Sequence, residues 1–439
     1  MTMRLVSFIF FIAFSAAGHC LTVPESKRLA GDFIADLMRE DYGKAAGYAD
    51  DSIKDKLTAG VIEQVWKGIL AESGKPQGHE EIQAALIPPD SYDTLAVLKF
   101  EKQLMSAKMR FNASGKLVGL FFIPKEQYTP PSYANPMRFT ETEVVIGSGK
   151  WALPATLSLP KGKGKFPALV LVHGSGPNDR DESLGPNKPF RDLAQGLAAQ
   201  GIAVLRYDKR TFAHGMSLTP DMLRSFTVKE ETVDDAAAAV NFMRGRKEID
   251  RSKVFVLGHS MGGSLIPRIS SAAGGKCAGF IVFAGSTEPL EDAIVRQTAY
   301  LSALDGEITE EEKTAVEKAK ADAARIKDPA LSQDGPVIAG AAPAYWLDLR
   351  VYYPPDAAKK IGKPLLVLQG ERDYNVTMTD FKNWKTALSS KNSVKFKSYP
   401  KLNHDFAEGK GPVTAEESLK AANVAGYVVD DIAGWIKAR

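Results

Sequence analysis

Residues 254–263 have the sequence VFVLGHSMGG, in which four apolar residues lead into a pattern of glycine, serine and glycine. A short, uniformly apolar run is typical of a central parallel strand that is buried on both faces. Ser260 lies between Gly258 and Gly262 in the pattern G-x-S-x-G, and a helical pattern follows. A serine on a sharp turn between a strand and a helix is exposed at the carboxyl edge of a sheet. The stretch therefore predicts a strand, a turn that bears a nucleophile and a helix.

Strand and helix patterns alternate on both sides of this stretch. Strand patterns lie at residues 140–146, 155–159, 168–173, 203–207, 254–258, 280–284, 365–369 and 394–399. Helical patterns lie between them, for example at residues 191–199, 228–244 and 379–388. This alternation predicts an α/β fold with a doubly wound, mostly parallel sheet over residues 138–439.

One connection in this region is much longer than the others. About 80 residues separate the strand patterns at 280–284 and 365–369, which is far more than an ordinary crossover needs. Residues 287–326 are strongly helical in pattern, and Thr309 and Glu312 fit a capping box. We expect a helical cap over the carboxyl edge of the sheet at about residues 287–355.

The N-terminal part of the chain has a different pattern. Two helical stretches, at 26–39 and 59–70, come before strand patterns at 81–87, 93–101, 104–111 and 116–123. They predict a small α+β domain over residues 24–123, with helices on an antiparallel sheet. Proline-rich residues 124–137 predict a linker. The domain has no catalytic constellation, so we expect it to pack beside the cap, bind a partner or mediate homodimerisation.

The first residues have the pattern of a signal peptide. Arg4 precedes an apolar run at residues 5–17, and small residues follow. The run is shorter than the roughly 20 residues of a spanning helix. We expect residues 1–20 to be removed on export to a periplasm or the medium, and the mature form to have no stable membrane span. An uncleaved anchor is the alternative.

Composition excludes several classes of protein. The chain has 439 residues, 44% of them hydrophobic, and its 56 Lys and Arg against 53 Asp and Glu give a net charge of +3. A near-neutral chain with no dense basic run is not expected to bind nucleic acid through a broad electrostatic surface. The two cysteines, Cys20 and Cys277, exclude a disulfide framework and a cysteine-rich zinc site. No metal or cofactor is implied.

A serine hydroxyl needs a base and an orienting acid to act as a nucleophile. The expected chain order is serine, acid, histidine, and His404 is the one histidine after Ser260. Asp373 follows the strand pattern at 365–369 and is the expected acid, which fixes the imidazole and stabilises the imidazolium. Glu371 is the local competitor for that role.

The other histidines fit the role of base less well. His259 neighbours Ser260 in the chain, so its ring should point away from the serine hydroxyl. His173 ends an earlier strand and is expected to pack beneath a loop. His214 lies in a loop that can rim the site, and His79 belongs to the N-terminal domain.

A tetrahedral intermediate needs two backbone N–H donors. Met261, directly after the nucleophile, is expected to supply one of them. The second is expected from the glycine-rich loop at residues 173–177, with Ser175 as first choice and Gly174 as second. An ordinary turn is the alternative for that loop.

These segments together resemble the α/β-hydrolase superfamily, in particular exported bacterial serine esterases with a cystatin-like or nuclear-transport-factor-like N-terminal domain. The segments that carry the resemblance are HGSGPNDRD at 173–181, RYDKR at 206–210, GHSMGG at 258–263 and LQGERDY at 368–374. The resemblance implies Ser260 as nucleophile, Asp373 as acid, His404 as base, and Ser175 with Met261 as oxyanion hole. The chain departs from many relatives after Arg210, where TFAHG replaces a glycine-rich loop.

Two further groups of residues have a structural and a functional interpretation. Residues 208–210, Asp-Lys-Arg, are expected to hold a loop by ion pairing, and anion binding is the alternative. Tyr345, Trp346, Tyr352 and Tyr353 are expected to pack within the cap, and lining an acyl pocket is the alternative.

The main hypothesis is a serine hydrolase that cleaves small-molecule carboxylic esters through an acyl-enzyme. A serine aminopeptidase is the second, in which cap acids such as Glu288, Glu291 and Asp292 would bind an α-amine. An acyl-CoA thioesterase or acyltransferase is a third, weakened because an exported protein would not meet acyl-CoA. A binding protein with an inactive hydrolase fold is the fourth, and the intact Ser260 with its two expected partners argues against it.

Overall fold

The computed structural model describes residues 21–87, 91–125, 127–414 and 417–439. The chain divides into two compact units, Met1–Gln127 and Tyr128–Arg439, and the division falls within residues 124–137. The predicted signal peptide, residues 1–20, lies outside the described residues.

The N-terminal unit has the predicted α+β architecture with an antiparallel sheet. Its described residues form three helices and five strands, whereas the sequence predicts two helices and four strands. The helices are α1 (Val23–Met38), α2 (Tyr42–Ala46) and α3 (Ala59–Ser73). The strands are β1 (Pro76–His79), β2 (Gln83–Ile87), β3 (Ser91–Phe100), β4 (Leu104–Phe111) and β5 (Leu117–Lys125). The path of the sheet is β1-β3-β4-β5, and β2 also pairs with β3. The short elements α2 and β1 have no sequence prediction, because four or five residues are too few to show a period.

Amphipathic patterning builds the core of this unit. Helix α1 begins at a capping box between Thr22 and Glu25 and buries Phe33 on one face, while α3 buries Trp66. The strands contribute alternate residues to the same core, such as Ala96 of β3, as the two-residue period of a strand requires.

The C-terminal unit is built on an eight-stranded sheet. Its strands are β6 (Phe139–Ile146), β7 (Leu153–Pro160), β8 (Phe166–Val172), β9 (Ala203–Tyr207), β10 (Ile249–His259), β11 (Gly279–Phe283), β12 (Leu365–Gly370) and β13 (Val394–Tyr399). The order across the sheet is β6-β7-β9-β8-β10-β11-β12-β13. Strands β6 and β7 pair antiparallel with each other, and β7 pairs antiparallel with β9. The other strands are parallel, with β10 at the centre.

Helices cover both faces of this sheet, which confirms the predicted doubly wound α/β fold. They are α4 (Pro189–Ala199), α5 (Arg210–Ala213), α6 (Pro220–Arg224), α7 (Asp234–Gly245), α8 (Met261–Ser264), α9 (Ile266–Ala272), α14 (Met378–Ala387) and α15 (Gly426–Lys437). One face packs against α7, α9 and α14, and the other against α4 and α15. The central strands are buried on both sides, so their sequences are apolar throughout.

The long connection between β11 and β12 holds α10 (Leu290–Ser302), α11 (Glu310–Lys327), α12 (Pro343–Arg350) and α13 (Pro354–Ala358). The predicted helical run at 287–326 is interrupted: α10 ends at Ser302, and Gly306 in the connection that follows adopts a φ of 81°. Helix α11 then begins at the predicted capping box of Thr309 and Glu312. Within the described residues, no helix has the length and apolar composition to cross a bilayer.

Candidate active site

Ser260 lies on a strained turn between β10 and α8. Its backbone has φ 52° and ψ −119°, a conformation that is costly for a residue other than glycine. A Cβ atom on Gly258 would lie 2.2 Å from the carbonyl oxygen of Gly262, and one on Gly262 would lie 2.5 Å from that of Val172. Glycine is therefore required on both sides of the serine. The Ser260 N–H donates to the carbonyl of Phe283 at 2.9 Å, which ties the turn to β11.

His404 is paired with Asp373. The Nδ1 atom of His404 lies 2.6 Å from Oδ2 of Asp373. The other carboxylate oxygen accepts backbone N–H bonds from Asn375 at 2.7 Å and Val376 at 2.9 Å. The Nε2 atom of Gln369 donates to Oδ2 at 3.1 Å. The buried carboxylate is therefore fixed, it accepts the Nδ1 proton of His404, and the Nε2 atom of His404 is left to act as a base.

Glu371, the competing acid, lies elsewhere. Its carboxylate is exposed and accepts a hydrogen bond from the Ser398 hydroxyl at 2.7 Å. The structure therefore brings Asp373, and not Glu371, to His404.

The loop of His404 lies beside the nucleophile turn. The Nε2 atom of His259 is 3.1 Å from the carbonyl oxygen of His404, and the two rings have centroids 4.5 Å apart. Because His259 directly precedes Ser260, this contact holds the histidine loop next to the serine. No hydrogen bond joins the Ser260 hydroxyl to His404 within the part of the chain that the structure describes. A hydrogen bond between a nucleophile and its base is often long in a free enzyme and tightens when substrate binds.

Two backbone N–H groups near Ser260 are available as donors. A Cβ atom on Gly174 would lie 3.0 Å from Cβ of Ser260, so the loop after β8 adjoins the serine. The Gly174 N–H already donates to Oε1 of Glu182 at 2.7 Å, which removes Gly174 as a donor for substrate. Among the described residues, the N–H groups of Ser175 and Met261 donate to no protein acceptor. Ser175 and Met261 therefore stay the predicted oxyanion donors.

Sequence reasoning missed a buried ion pair between Glu182 and His259. The Nδ1 atom of His259 lies 2.8 Å from Oε2 of Glu182. With the carbonyl of His404 at its other nitrogen, the ring faces two acceptors, so both nitrogens carry protons. Burial favours a lower pKa for His259, but the charge and hydrogen bond of Glu182 outweigh it and raise the pKa to about 9. No sequence signal pairs these two residues, which are 77 positions apart.

This ion pair predicts a pH dependence of stability. Because the folded-state pKa of about 9 lies above the ordinary 6.5, the contribution of His259 is complete below pH 6.5 and is lost as the pH rises through 9. We expect the free energy of unfolding to fall by roughly 3 kcal/mol across that window. Urea titrations of the full chain between pH 6 and 10 measure it.

The control for this prediction is His259→Gln, which has no titrating imidazole. The difference in free energy of unfolding between the two proteins should be largest at the acidic end of the range, at and below pH 6.5, and should shrink towards pH 10. Parallel pH curves for the two proteins would show that His259 is not held as an imidazolium.

His173 and His214 make contacts other than with the Ser260 hydroxyl. His173 is buried between the rings of Phe190 and Tyr207, with centroids 5.0 and 5.3 Å away. Burial lowers its pKa to about 4. The Nε2 atom of His214 contacts the carbonyl of Ala152 at 2.8 Å. These contacts are those of packing residues.

The charged run at 208–210 forms ion pairs, as expected. The pairs are Asp208 with Arg180, Lys209 with Glu231, and Arg210 with Asp235. Several cap acids are also paired, since Glu288 bonds Arg296 at 2.9 Å and Asp292 bonds Lys327. Glu291 is buried.

The cap aromatics are mainly packing residues. Trp346 is buried and donates its ring N–H to the carbonyl of Ile338 at 2.8 Å. The Tyr352 hydroxyl donates to the carbonyl of Ser264 at 2.7 Å. The Tyr345 hydroxyl lies 3.3 Å from the sulfur of Met261, so this side chain contacts the residue that follows Ser260.

Within the described ranges, no group of three or more His, Cys, Asp or Glu side chains is arranged to hold a metal ion.

Two family models match the chain. Residues 169–409, more than half of the chain, match the family described as serine aminopeptidase, S33. Residues 30–120 match a domain family of unknown function, DUF3887. The two matches fall within the C-terminal and N-terminal units respectively.

The chain is similar to known esterases. It is 35% identical over 410 residues to esterase EstD of Thermotoga maritima, which covers 92% of this chain and 93% of the relative. Among solved structures, Est1E from Butyrivibrio proteoclasticus is 16% identical with a TM-score of 0.44, covering 68% of this chain and 99% of that one. An esterase of the archaeon Pyrobaculum calidifontis is 16% identical with a TM-score of 0.44, covering 70% and 88%. The chain therefore belongs to the α/β-hydrolase family described as serine aminopeptidase, S33, and is an enzyme of the hydrolase class.

Proposed function

We propose that the protein is a carboxylesterase-type serine hydrolase that cleaves small-molecule carboxylic esters through an acyl-enzyme. The observation that carries the proposal is the Asp373–His404 pair, held at the strained turn of Ser260. The similarity to esterase EstD over nearly the whole chain supports the ester as substrate class.

Acylation begins when the Ser260 hydroxyl attacks the ester carbonyl carbon. The Nε2 atom of His404 takes the hydroxyl proton, and the carboxylate of Asp373 stabilises the imidazolium that forms. The carbonyl oxygen becomes an oxyanion that accepts hydrogen bonds from the N–H groups of Ser175 and Met261. Collapse of the tetrahedral intermediate breaks the bond to the alkoxy oxygen. His404 gives its proton to that oxygen, and the alcohol leaves.

Deacylation repeats these steps with water as the nucleophile. His404 takes a proton from water, which attacks the carbonyl carbon of the acyl-enzyme. The second intermediate expels the oxygen of Ser260, which regains its proton from His404, and the carboxylic acid leaves.

Labelling with a fluorophosphonate tests the nucleophile in the native chain. This probe forms a covalent bond to an activated serine, so we expect one label per chain, on Ser260, and loss of ester turnover in step with labelling. A chain that hydrolyses p-nitrophenyl butyrate yet takes up no label would contradict the acyl-enzyme mechanism.

A serine aminopeptidase is the second candidate, favoured by the description of the family. It needs a carboxylate to bind the α-amine of a peptide. Glu288 and Asp292, two of the cap acids expected for that role, are each held by a cation of the cap. This pairing favours the ester over the aminoacyl substrate.

We therefore expect kcat/KM for p-nitrophenyl butyrate to exceed that for alanine p-nitroanilide by at least roughly 100-fold. The reason is that Glu288 and Asp292, two of the three cap acids named for amine binding, are already paired with cap cations. The ester releases p-nitrophenol and the anilide releases p-nitroaniline, both coloured, so initial rates compare once each product is calibrated with its own extinction coefficient. A higher kcat/KM for the anilide would make the aminopeptidase the better assignment.

We also propose that the protein is exported, on the pattern of residues 1–20. Expression of the full chain in a bacterium, followed by mass spectrometry of the exported protein, tests it. A mature N-terminus within residues 18–22 supports export, and an intact Met1 on a cytoplasmic protein contradicts it.

A further inference from the structure

A second buried ion pair lies beneath the loop that adjoins Ser260. The Nζ atom of Lys209 is 2.8 Å from Oε1 of Glu231, and the two residues are 2% and 6% exposed. The same Nζ atom donates to the carbonyl oxygen of Gly174 at 2.7 Å. Burying an ammonium group is costly unless it is fully paired. Here the group is paired, and one of its acceptors is a backbone carbonyl of the oxyanion loop.

That carbonyl shares a peptide group with the predicted oxyanion donor. The C=O of Gly174 and the N–H of Ser175 belong to one planar, trans unit, so they point in opposite directions. A bond that fixes the carbonyl therefore fixes the direction of the N–H. Neighbouring bonds hold the same residues, since Glu182 accepts from the Gly174 N–H at 2.7 Å and Asn178 donates to the Ser175 carbonyl at 3.0 Å.

Glu231 is itself fixed by its local structure. It lies in the π-helical segment Lys229–Val233 at the start of α7, and such segments occur frequently at functional sites. Its second carboxylate oxygen accepts a hydrogen bond from the Tyr345 hydroxyl at 2.8 Å. The ammonium of Lys209 thus has a partner that is held from two sides.

We propose that Lys209, held by Glu231, is a positioning residue that locks the Gly174–Ser175 peptide with its N–H directed at the oxyanion. This inference rests on the proposed function. Without the ammonium, the Gly174 carbonyl keeps only a long hydrogen bond from the Asn178 amide at 3.4 Å. The peptide is then held weakly enough to rotate and to present its carbonyl oxygen, which repels an oxyanion. The positive charge next to the carbonyl also polarises the peptide and strengthens the Ser175 N–H as a donor.

The test variant is Lys209→Met, which removes the ammonium and keeps an unbranched side chain. We expect kcat for p-nitrophenyl butyrate to fall by about 100-fold, as for loss of an oxyanion donor, with KM changed by less than about threefold. An aryl trifluoromethyl ketone, which adds to a serine hydroxyl and forms a tetrahedral oxyanion, reports the same donor. Its inhibition constant should rise by the same factor as kcat falls.

The matched control is Arg210→Met, which removes the next cation of the chain. Arg210 pairs with Asp235, and no contact joins it to residues 174–175 in the described parts of the chain. We expect kcat and the ketone inhibition constant of this variant to stay within about twofold of the wild type. If Lys209→Met does not fold, Glu231→Gln carries the test. The amide oxygen that this substitution introduces still accepts the hydrogen bond from Tyr345. We expect a smaller fall in kcat than for Lys209→Met, and a rise in the ketone inhibition constant by the same factor.

Two results would overturn the proposal. One is an unchanged kcat in a folded Lys209→Met protein. The other is a fall in kcat with an unchanged ketone constant, which indicates a general structural role of Lys209. Failure of the proposed function differs from both, because the wild type would then neither hydrolyse the ester nor bind the ketone.

Discussion

Replacing Ser260 with alanine is expected to lower kcat for p-nitrophenyl butyrate by at least about 10⁴-fold, which corresponds to roughly 5 kcal/mol of transition-state stabilisation. Alanine keeps the Cβ atom at a position with φ 52° and removes only the hydroxyl. The turn therefore persists, and the variant should unfold at the temperature of the wild type to within a few degrees. The remaining activity comes from substrate binding and the two N–H donors, which need no serine oxygen. Steady-state rates and circular dichroism measure the two effects.

The control for this variant is Ser271→Ala. Ser271 is exposed near the end of α9, eleven residues after Ser260 in the chain. Removing its hydroxyl should leave kcat and labelling unchanged. Normal turnover by the Ser260→Ala protein would show that another group performs the attack. A label on the Ser260→Ala protein would point to the same conclusion.

The nucleophile turn was predictable because its signal is local. The strand, the glycines and the following helix lie within a few residues, and the structure ends β10 at His259 and begins α8 at Met261. Among the parallel strands, β9 and β13 have the predicted limits, whereas β10 begins at Ile249, five residues before its predicted start. The ends of β9 are marked because a strand buried on both faces is a short, mainly apolar run, while β13, at the edge of the sheet, shows the alternation of half-buried and exposed residues.

The residues that hold the site in place, such as Glu182 and Lys209, were not predictable in the same way. Glu182 is one of several acids after the oxyanion loop, and its pairing with His259 depends on how two distant loops meet. Ion pairing of Lys209 was expected, but its bond to Gly174 depends on where the π-helical segment places Glu231. Hydrophobic periodicity describes the faces of elements and does not describe which charges become buried between loops. The residues expected to do the chemistry can be predicted from their order in the chain. The residues that position them depend on how distant loops pack together.

Asp373→Asn is expected to lower kcat by about 10⁴-fold, close to the loss of the serine itself. The amide oxygen can still accept the N–H bonds of Asn375 and Val376. The amide nitrogen then faces Nδ1 of His404 and the donor nitrogen of Gln369. Because a nitrogen donor cannot accept the Nδ1 proton, the imidazole takes the tautomer that carries its proton on Nε2. The base that Ser260 requires is then absent.

Glu371→Gln is the matched control, since it makes the same change of acid to amide two residues away. Its carboxylate accepts only from Ser398 in the described structure, so kcat should stay within about twofold of the wild type. If Glu371→Gln lost its activity and Asp373→Asn kept it, Glu371 would be the acid of the triad and Asp373 would not.

Fluorophosphonate labelling separates the two catalytic variants. It should be slow in Asp373→Asn, where the hydroxyl of Ser260 remains without an oriented base, and absent in Ser260→Ala. Equal labelling rates in Asp373→Asn and the wild type would show that Asp373 does not orient the base.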